Sequence, residues 1–193
     1  MSTRARRQGS AVPALGAAAF AGILVLAGAA FVLSRASNTT NAPAPAASAA
    51  AGDVKIAPDF TARLIDGGSF ALSQERGHPV LILFTASWCV TCIPEVNKMA
   101  QLQDEFGGRG LSQIVLSIDP GDRPSDFDGL RRRTLGSRLI WGLDNEQRAL
   151  RAYNIVATDT KVLVDSEGRI SFTSVGATDY ATLRREVAKL LRA

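Results

Sequence analysis

The residues best suited to chemistry are two cysteines, the only two in the chain, spaced as Cys89-Val90-Thr91-Cys92. A cysteine thiolate attacks disulfides and binds soft metals, and how readily it forms depends on local electrostatics. The pair falls where an apolar run, Val80–Thr85, gives way to a segment with helical spacing. Both thiols are therefore expected at a helix N-terminus, where unpaired backbone N–H groups and the helix dipole stabilise an anion. A two-residue gap over one helical turn puts Cys92 within reach of Cys89 yet more buried. Cys89 is then the attacking thiol and Cys92 the resolving one, with exchange passing through a mixed disulfide.

Three other uses of the pair compete. A purely structural disulfide closing so short a loop would constrain the unfolded chain little. A structural zinc site wants four ligands, and with a single histidine, His78, it would have to recruit carboxylates. A Cu(I) carrier is the rival of a different class, because soft thiolates suit that ion. Redox exchange needs neither metal nor other cofactor, and none is expected. Glu95 lies three residues beyond Cys92, on the same helix face one turn on. It is the candidate acid–base group, against an ordinary solvated first-turn carboxylate favoured by the dipole. Trp88 is expected to flank the thiols. His78 reads as a turn residue, and Arg131-Arg132-Arg133 as a solvated helix face or a contact for anionic lipid.

Apolar and helical patterns alternate around the pair. Val80–Thr85 is nearly all apolar and reads as a central strand buried on both faces. Val96, Met99, Ala100 and Phe106 recur at helical spacing up to Gly107-Gly108. Ile114–Ile118 is a second strand. Pro124 opens a helix carrying Phe127 and Leu130, expected to stop near Gly136, and a short helix follows over residues 145–153. Lys161–Asp165 and Ile170–Ser174 flank Ser166-Glu167-Gly168, which is a hairpin pattern. A last helix, N-capped by Thr178, carries Leu183, Val187, Leu190 and Leu191. An earlier hairpin centres on Asp66-Gly67-Gly68. The order implies an α/β sheet covered on both faces.

Composition is that of a globular protein, 46% hydrophobic and 21% charged. The net charge of +4 is not a nucleic-acid signal. Of the 22 basic residues, Arg4, Arg6, Arg7 and Arg35 precede residue 53, which leaves 18 to match the 18 acidic ones beyond it. Residues 11–33 carry no charge and are apolar or small, long enough to cross a hydrocarbon core of roughly 30 Å. Three arginines before the run and one after it place residues 1–10 in the cytoplasm and the remainder outside, by the positive-inside bias. A cleaved signal peptide, with Ala27–Ala30 as its small-residue site, is the alternative. Residues 34–52, rich in Ala, Ser, Asn, Thr and Pro, read as a flexible linker, and residues 53–193 as one folded domain.

Several stretches together resemble one family. They are Ala57-Pro58-Asp59-Phe60, Gly77-His78-Pro79 with the strand behind it, Ala86-Ser87-Trp88-Cys89-Val90-Thr91-Cys92 with Glu95, Tyr153-Asn154-Ile155, and Val162–Ile170. In this order they resemble the thioredoxin-like TlpA/ResA group of the redoxin (AhpC/TSA) superfamily. The resemblance implies an α/β thioredoxin fold, a mixed central sheet flanked by helices behind a transmembrane signal anchor. It also implies dithiol exchange at the cell membrane, with the catalytic domain extracytoplasmic. Partners would be client proteins bearing disulfides or thiols and a membrane electron donor of the CcdA/DsbD type, often in cytochrome c maturation. Three positions depart from the pattern. Asp159 stands where the family has a cis-proline facing the cysteines, so Thr158 and Asp159 become the substrate-facing loop. A carboxylate there would oppose a Cys89 thiolate. Leu83 occupies the place of thioredoxin's buried aspartate, and Asn97 that of a helix proline, with Pro94 in the first turn instead. Copper carriers of the Sco type use C-x-x-x-C and a later histidine, and this chain has neither.

Overall fold

The structure, a computed structural model, describes residues 55–192. The expected membrane span over 11–33 and the linker over 34–52 lie outside the described residues. Among the described residues, no helix is long and apolar enough to cross a membrane.

The central strand forms because five of its six side chains are apolar and large. All six residues of β3 (Val80–Thr85) are buried. Strand periodicity sends Val80, Ile82 and Phe84 to one face, and Leu81 and Leu83 to the other. Each such side chain taken out of water contributes about 1.5–3 kcal/mol. β3 pairs in parallel with β4 (Ser112–Ser117), which pairs in parallel with β5 (Ile140–Leu143). On its other side β3 pairs antiparallel with β6 (Thr160–Val164), which carries β7 (Ile170–Val175) as an antiparallel hairpin. β1 (Thr61–Leu64) and β2 (Ser69–Ala71) form the expected first hairpin, and β1 pairs antiparallel with β5. The order across the mixed sheet is β2-β1-β5-β4-β3-β6-β7.

Two apolar clusters cover the faces. One packs Leu81, Leu83 and Val115 against α1 (Ile93–Phe106), α2 (Pro124–Arg131) and α4 (Tyr180–Leu190), through Met99, Phe127 and Leu183 among others. The other gathers Phe60, Phe70, Ile82 and Phe84 around α3 (Arg148–Ala152) and Tyr153. The burial of Tyr153 pushes its phenol well above the ordinary range, with nearby Asp59 adding to the effect, and its hydroxyl donates to the Pro58 carbonyl at 2.8 Å.

One strand, β5, was not expected from the sequence, and three helix boundaries differ from the expectation. β5 has only four residues and carries Gly142, where a Cβ would lie tightly against Ala62, Ile114 and Leu116 at 3.1–3.4 Å. Its short pattern gives no period to read. α2 stops at Arg131, five residues before Gly136, because Arg133 and Thr134 close tight turns onto Leu130 and Arg131. α3 keeps only five residues of the expected nine, starting after Gln147 at φ 53°. α4 starts after Asp179, not Thr178. Thr178 is drawn elsewhere, its N–H donating to Glu95 and its carbonyl accepting from Lys98.

Candidate active site

β3 ends at Thr85, and the chain turns through Ala86-Ser87-Trp88 into the cysteines. Cys89 N–H bonds back to the Ala86 carbonyl at 3.0 Å, and Cys92 N–H to the Cys89 carbonyl at 3.2 Å. The pair occupies a 3-10 turn, Val90–Cys92, that leads into α1, so the expected helix start is tighter than a regular α-helix. Pro94 sits in the first turn of α1, where its missing N–H has no carbonyl to meet. Cys89 and Cys92 are joined as a disulfide, with Cα atoms 5.4 Å apart. Cys92 is fully buried, and Cys89 retains 4% exposure. The more accessible cysteine is thus the one expected to attack.

Two hydroxyls approach that sulfur. Thr91 Oγ1 lies 3.6 Å from Cys89 Sγ and Thr158 Oγ1 3.7 Å. The Thr91 hydroxyl is placed so that it can donate to a thiolate and stabilise it, whereas the Thr158 oxygen faces the sulfur with acceptor geometry. Thr158 arrives from the loop before β6, across the sheet from the cysteine turn. The next residue, Asp159, has φ 61°. That left-handed conformation is one that aspartate visits and proline, fixed near −65°, cannot. The loop here is therefore built differently from one made around a proline.

The Asp159 carboxylate does not stand bare against Cys89, as the sequence alone suggests. It accepts a hydrogen bond from Lys161 at 2.7 Å. Lys161, the second residue of β6, lies on the α1 face of the sheet, paired across the strands with Leu83, and is fully buried. Its ammonium also donates to Glu95 Oε2 at 3.0 Å and to the Gly176 carbonyl at 2.6 Å. Glu95 in turn accepts from Lys98 at 2.5 Å. Glu95 is 1% exposed, so it is no solvated first-turn carboxylate. Burial alone would push its carboxyl up, but the hydrogen bonds from Lys98 and Lys161 outweigh that and hold it below its ordinary value. Asp159 goes the other way. Burial raises its carboxyl, the Glu95 charge adds to the rise, and Lys161 offsets only part of it.

A second cluster fixes the other side of the turn. Asp122 accepts from the Ser87 N–H at 2.8 Å, the Ser87 hydroxyl at 2.6 Å and the Ser117 hydroxyl at 2.5 Å. Asp119 accepts from the Trp88 indole N–H at 2.7 Å, which orients an indole that is 62% exposed. Arg133 donates to the Ser87 carbonyl, and Arg131 bonds Asp66 and Asp128, so two of the three consecutive arginines hold loops in place. His78 lies in the turn before β3, against Gly110 and away from the cysteines. Beside the disulfide, Trp88, Pro120, Ile155, Val156 and Thr158 line a mainly apolar groove of about 490 Å³.

The structure thus brings Cys89, Cys92, Trp88 and Thr158 together at one edge, with Glu95 and Asp159 joined behind them. Sequence reasoning missed Lys161, Lys98, Asp119 and Asp122. For Lys161 a signal existed. A lysine near the start of an otherwise apolar strand, at the same parity as Leu163, must face inward.

Dithiol–disulfide exchange is the chemistry that such a pair supports at the end of a central strand in a thioredoxin-like sheet. The fold and the site together define a thiol–disulfide oxidoreductase. The chain belongs to the AhpC/TSA family, whose model matches residues 54–173. It is 25% identical over 134 residues to the thiol-disulfide oxidoreductase ResA of Geobacillus kaustophilus, covering 69% of this chain and 75% of that one. It is 26% identical over 121 residues to the thioredoxin-like protein YneN of Bacillus subtilis, covering 62% and 69%. Among solved structures, a putative thiol:disulfide interchange protein DsbE from Chlorobium tepidum superposes with a TM-score of 0.65. That alignment is 24% identical and covers 72% of this chain and 96% of the other.

Proposed function

We propose that the protein is a membrane-anchored, extracytoplasmic oxidoreductase that reduces protein disulfides and is itself recharged by a membrane electron donor of the CcdA/DsbD type. The observation that carries the choice of a protein client is the apolar groove beside Cys89, walled by an exposed tryptophan. Such a surface suits a polypeptide flanking a disulfide. The anchored location rests on the charge-free run over 11–33 with arginines concentrated before it. The reducing direction, and service to cytochrome c maturation, rest on the likeness to the ResA group.

The reaction runs in two displacements. The Cys89 thiolate attacks one sulfur of the client disulfide, forming a Cys89–client bond and expelling the other client sulfur as thiolate. Cys92, deprotonated, then attacks Cys89 Sγ, which expels the second client thiolate and forms the Cys89–Cys92 disulfide. Two electrons pass to the client, and each thiolate product takes a proton from solvent.

Replacing Cys92 by Ser should trap a covalent Cys89–client adduct on a disulfide-bonded protein, and replacing Cys89 by Ser should abolish it. A reduction potential near or below about −250 mV would support the reductase, and one near about −120 mV would reverse the direction. Labelling of intact cells with a membrane-impermeant maleimide should reach Cys89. Labelling only after lysis would refute the extracytoplasmic location. Stoichiometric Cu(I) binding with no disulfide exchange would replace the enzyme by a copper carrier.

A further inference from the structure

We propose that Lys161 is a positioning residue for disulfide exchange: its buried ammonium joins Glu95 on α1 to Asp159 on the loop facing the disulfide, setting the charge behind Cys89 and holding Thr158 against its sulfur. The proposal rests on reading Cys89 and Cys92 as the exchanging pair.

All three donors of the Lys161 ammonium are used, each on a different segment. Glu95 Oε2 belongs to α1, Asp159 Oδ1 to the loop before β6, and the Gly176 carbonyl to the chain leaving β7. The Gly176 N–H returns to the Asp159 carbonyl at 2.9 Å. This closes a ring that pins Asp159 in its left-handed conformation. The residue before Asp159 is the one whose hydroxyl lies 3.7 Å from Cys89 Sγ. The residue at the α1 end of the ring stands one turn beyond Cys92. Lysine is an unusual choice for a fully buried site, where a hydrophobic side chain of similar volume often stabilises as well or better. Its location, spanning the gap between the cysteine helix and the facing loop, is where a charge has consequences for the thiol.

The charged groups gathered here are two from α1, Glu95 and Lys98, and two from the start of β6, Asp159 and Lys161. The segment between β7 and α4 contributes only the Gly176 and Thr178 backbone groups and the Thr178 hydroxyl, none of them ionisable. Two cations balance two anions. Lys161→Met leaves the set one unit negative and opposes a thiolate at Cys89. Asp159→Asn leaves it one unit positive and favours one.

That opposition in sign gives the test. In the 193-residue chain carrying Cys92→Ser, Cys89 is the sole thiol, and the pH dependence of its alkylation by iodoacetamide reports its acidity. Lys161→Met should move the midpoint up by about half to one pH unit, a three- to tenfold slower reaction on the acid limb, and Asp159→Asn should move it down. Unmoved midpoints, or midpoints moving the same way in both variants, overturn the proposal, since disturbed packing would not reverse sign. If Lys161→Met fails to fold by circular dichroism, Asp159→Asn decides alone, and a midpoint unmoved or raised overturns it. Exchange by the unsubstituted chain on a disulfide-bonded protein is measured alongside. Its absence would overturn the oxidoreductase reading while leaving the midpoints legible.

Discussion

Replacing Glu95 by Gln should destabilise the oxidised protein by about 3 kcal/mol at pH 7, and that cost should shrink in acid. The structure sets the size. Glu95 and Lys161 are 1% and 0% exposed and lie 3.0 Å apart, so solvent screening is small. At an effective dielectric constant of about 20, that separation corresponds to roughly 5–6 kcal/mol of attraction. Glutamine also costs less to bury, which lowers the net loss towards the bottom of the roughly 3–5 kcal/mol found when one partner of a buried pair is removed. Lys98, the second cation, keeps 23% exposure and can turn to water, which favours the lower figure. For a domain of this size the loss corresponds to a fall in Tm of about 10 °C. The sign with pH follows from the carboxyl being held below its ordinary 4.5. A depressed group gives stability that is fully present above the unfolded value and fades as pH falls through the lower folded value. Urea unfolding, which adds no salt, measured at pH 7 and pH 3.5 checks both statements. A cost below about 1 kcal/mol at pH 7, or one that does not change with pH, would refute the buried-network account of Glu95.

Asp159→Asn should cost less than Glu95→Gln at pH 7, because burial already disfavours the charged form of this carboxyl. Its contribution is full below the unfolded value of 3.8 and is lost as pH rises through the raised folded value, so the two variants compared by urea titration should diverge in opposite senses with pH. Asp159→Pro cannot adopt φ 61° and should cost at least about 3 kcal/mol, with a readable loss of the short Thr158–Cys89 approach by NMR. Asp122→Ala leaves the Ser87 N–H and two hydroxyls without their acceptor; a loss of about 2–3 kcal/mol is expected in thermal unfolding. Trp88→Ala should leave Tm within a few degrees, since the indole is exposed, yet raise KM for a disulfide-bonded protein while leaving small-molecule disulfides unaffected.

The sheet was legible where a strand is long and buried on both faces. Val80–Thr85 has only one reading, and the Ser166-Glu167-Gly168 turn between two β-branched runs has only one topology. β5 was not legible, because Ile140-Trp141-Gly142-Leu143 is four residues long and contains a glycine that is explained only by neighbours on β1 and β4. The ends of α2 and α4 were misplaced for a related reason. Thr178 has the chemistry of an N-cap, but its N–H, carbonyl and hydroxyl are drawn to Glu95, Lys98 and Ser174, partners that become adjacent only once α1 and β7 have packed.

At the site, the cysteines and Trp88 could be read because their chemistry depends on local spacing. Glu95 and Asp159 were legible singly, but Lys161, which joins them, was not, because it reaches them from the strand beside β3. Taken singly, Leu83 and Asp159 look like two losses, a missing buried carboxylate and a missing proline. In three dimensions they are joined by Lys161, which stands opposite Leu83 across β3 and β6 and bonds Asp159 two residues back along its own chain. A charge absent from the central strand is present on its neighbour with the opposite sign. The loop that lost a proline is held instead by an ion pair and a backbone hydrogen bond. A proline holds such a loop at any pH. A lysine shared between two carboxylates holds it through groups whose charge changes with pH, and this couples the geometry around Cys89 to protonation in a way that spacing along the chain could not reveal.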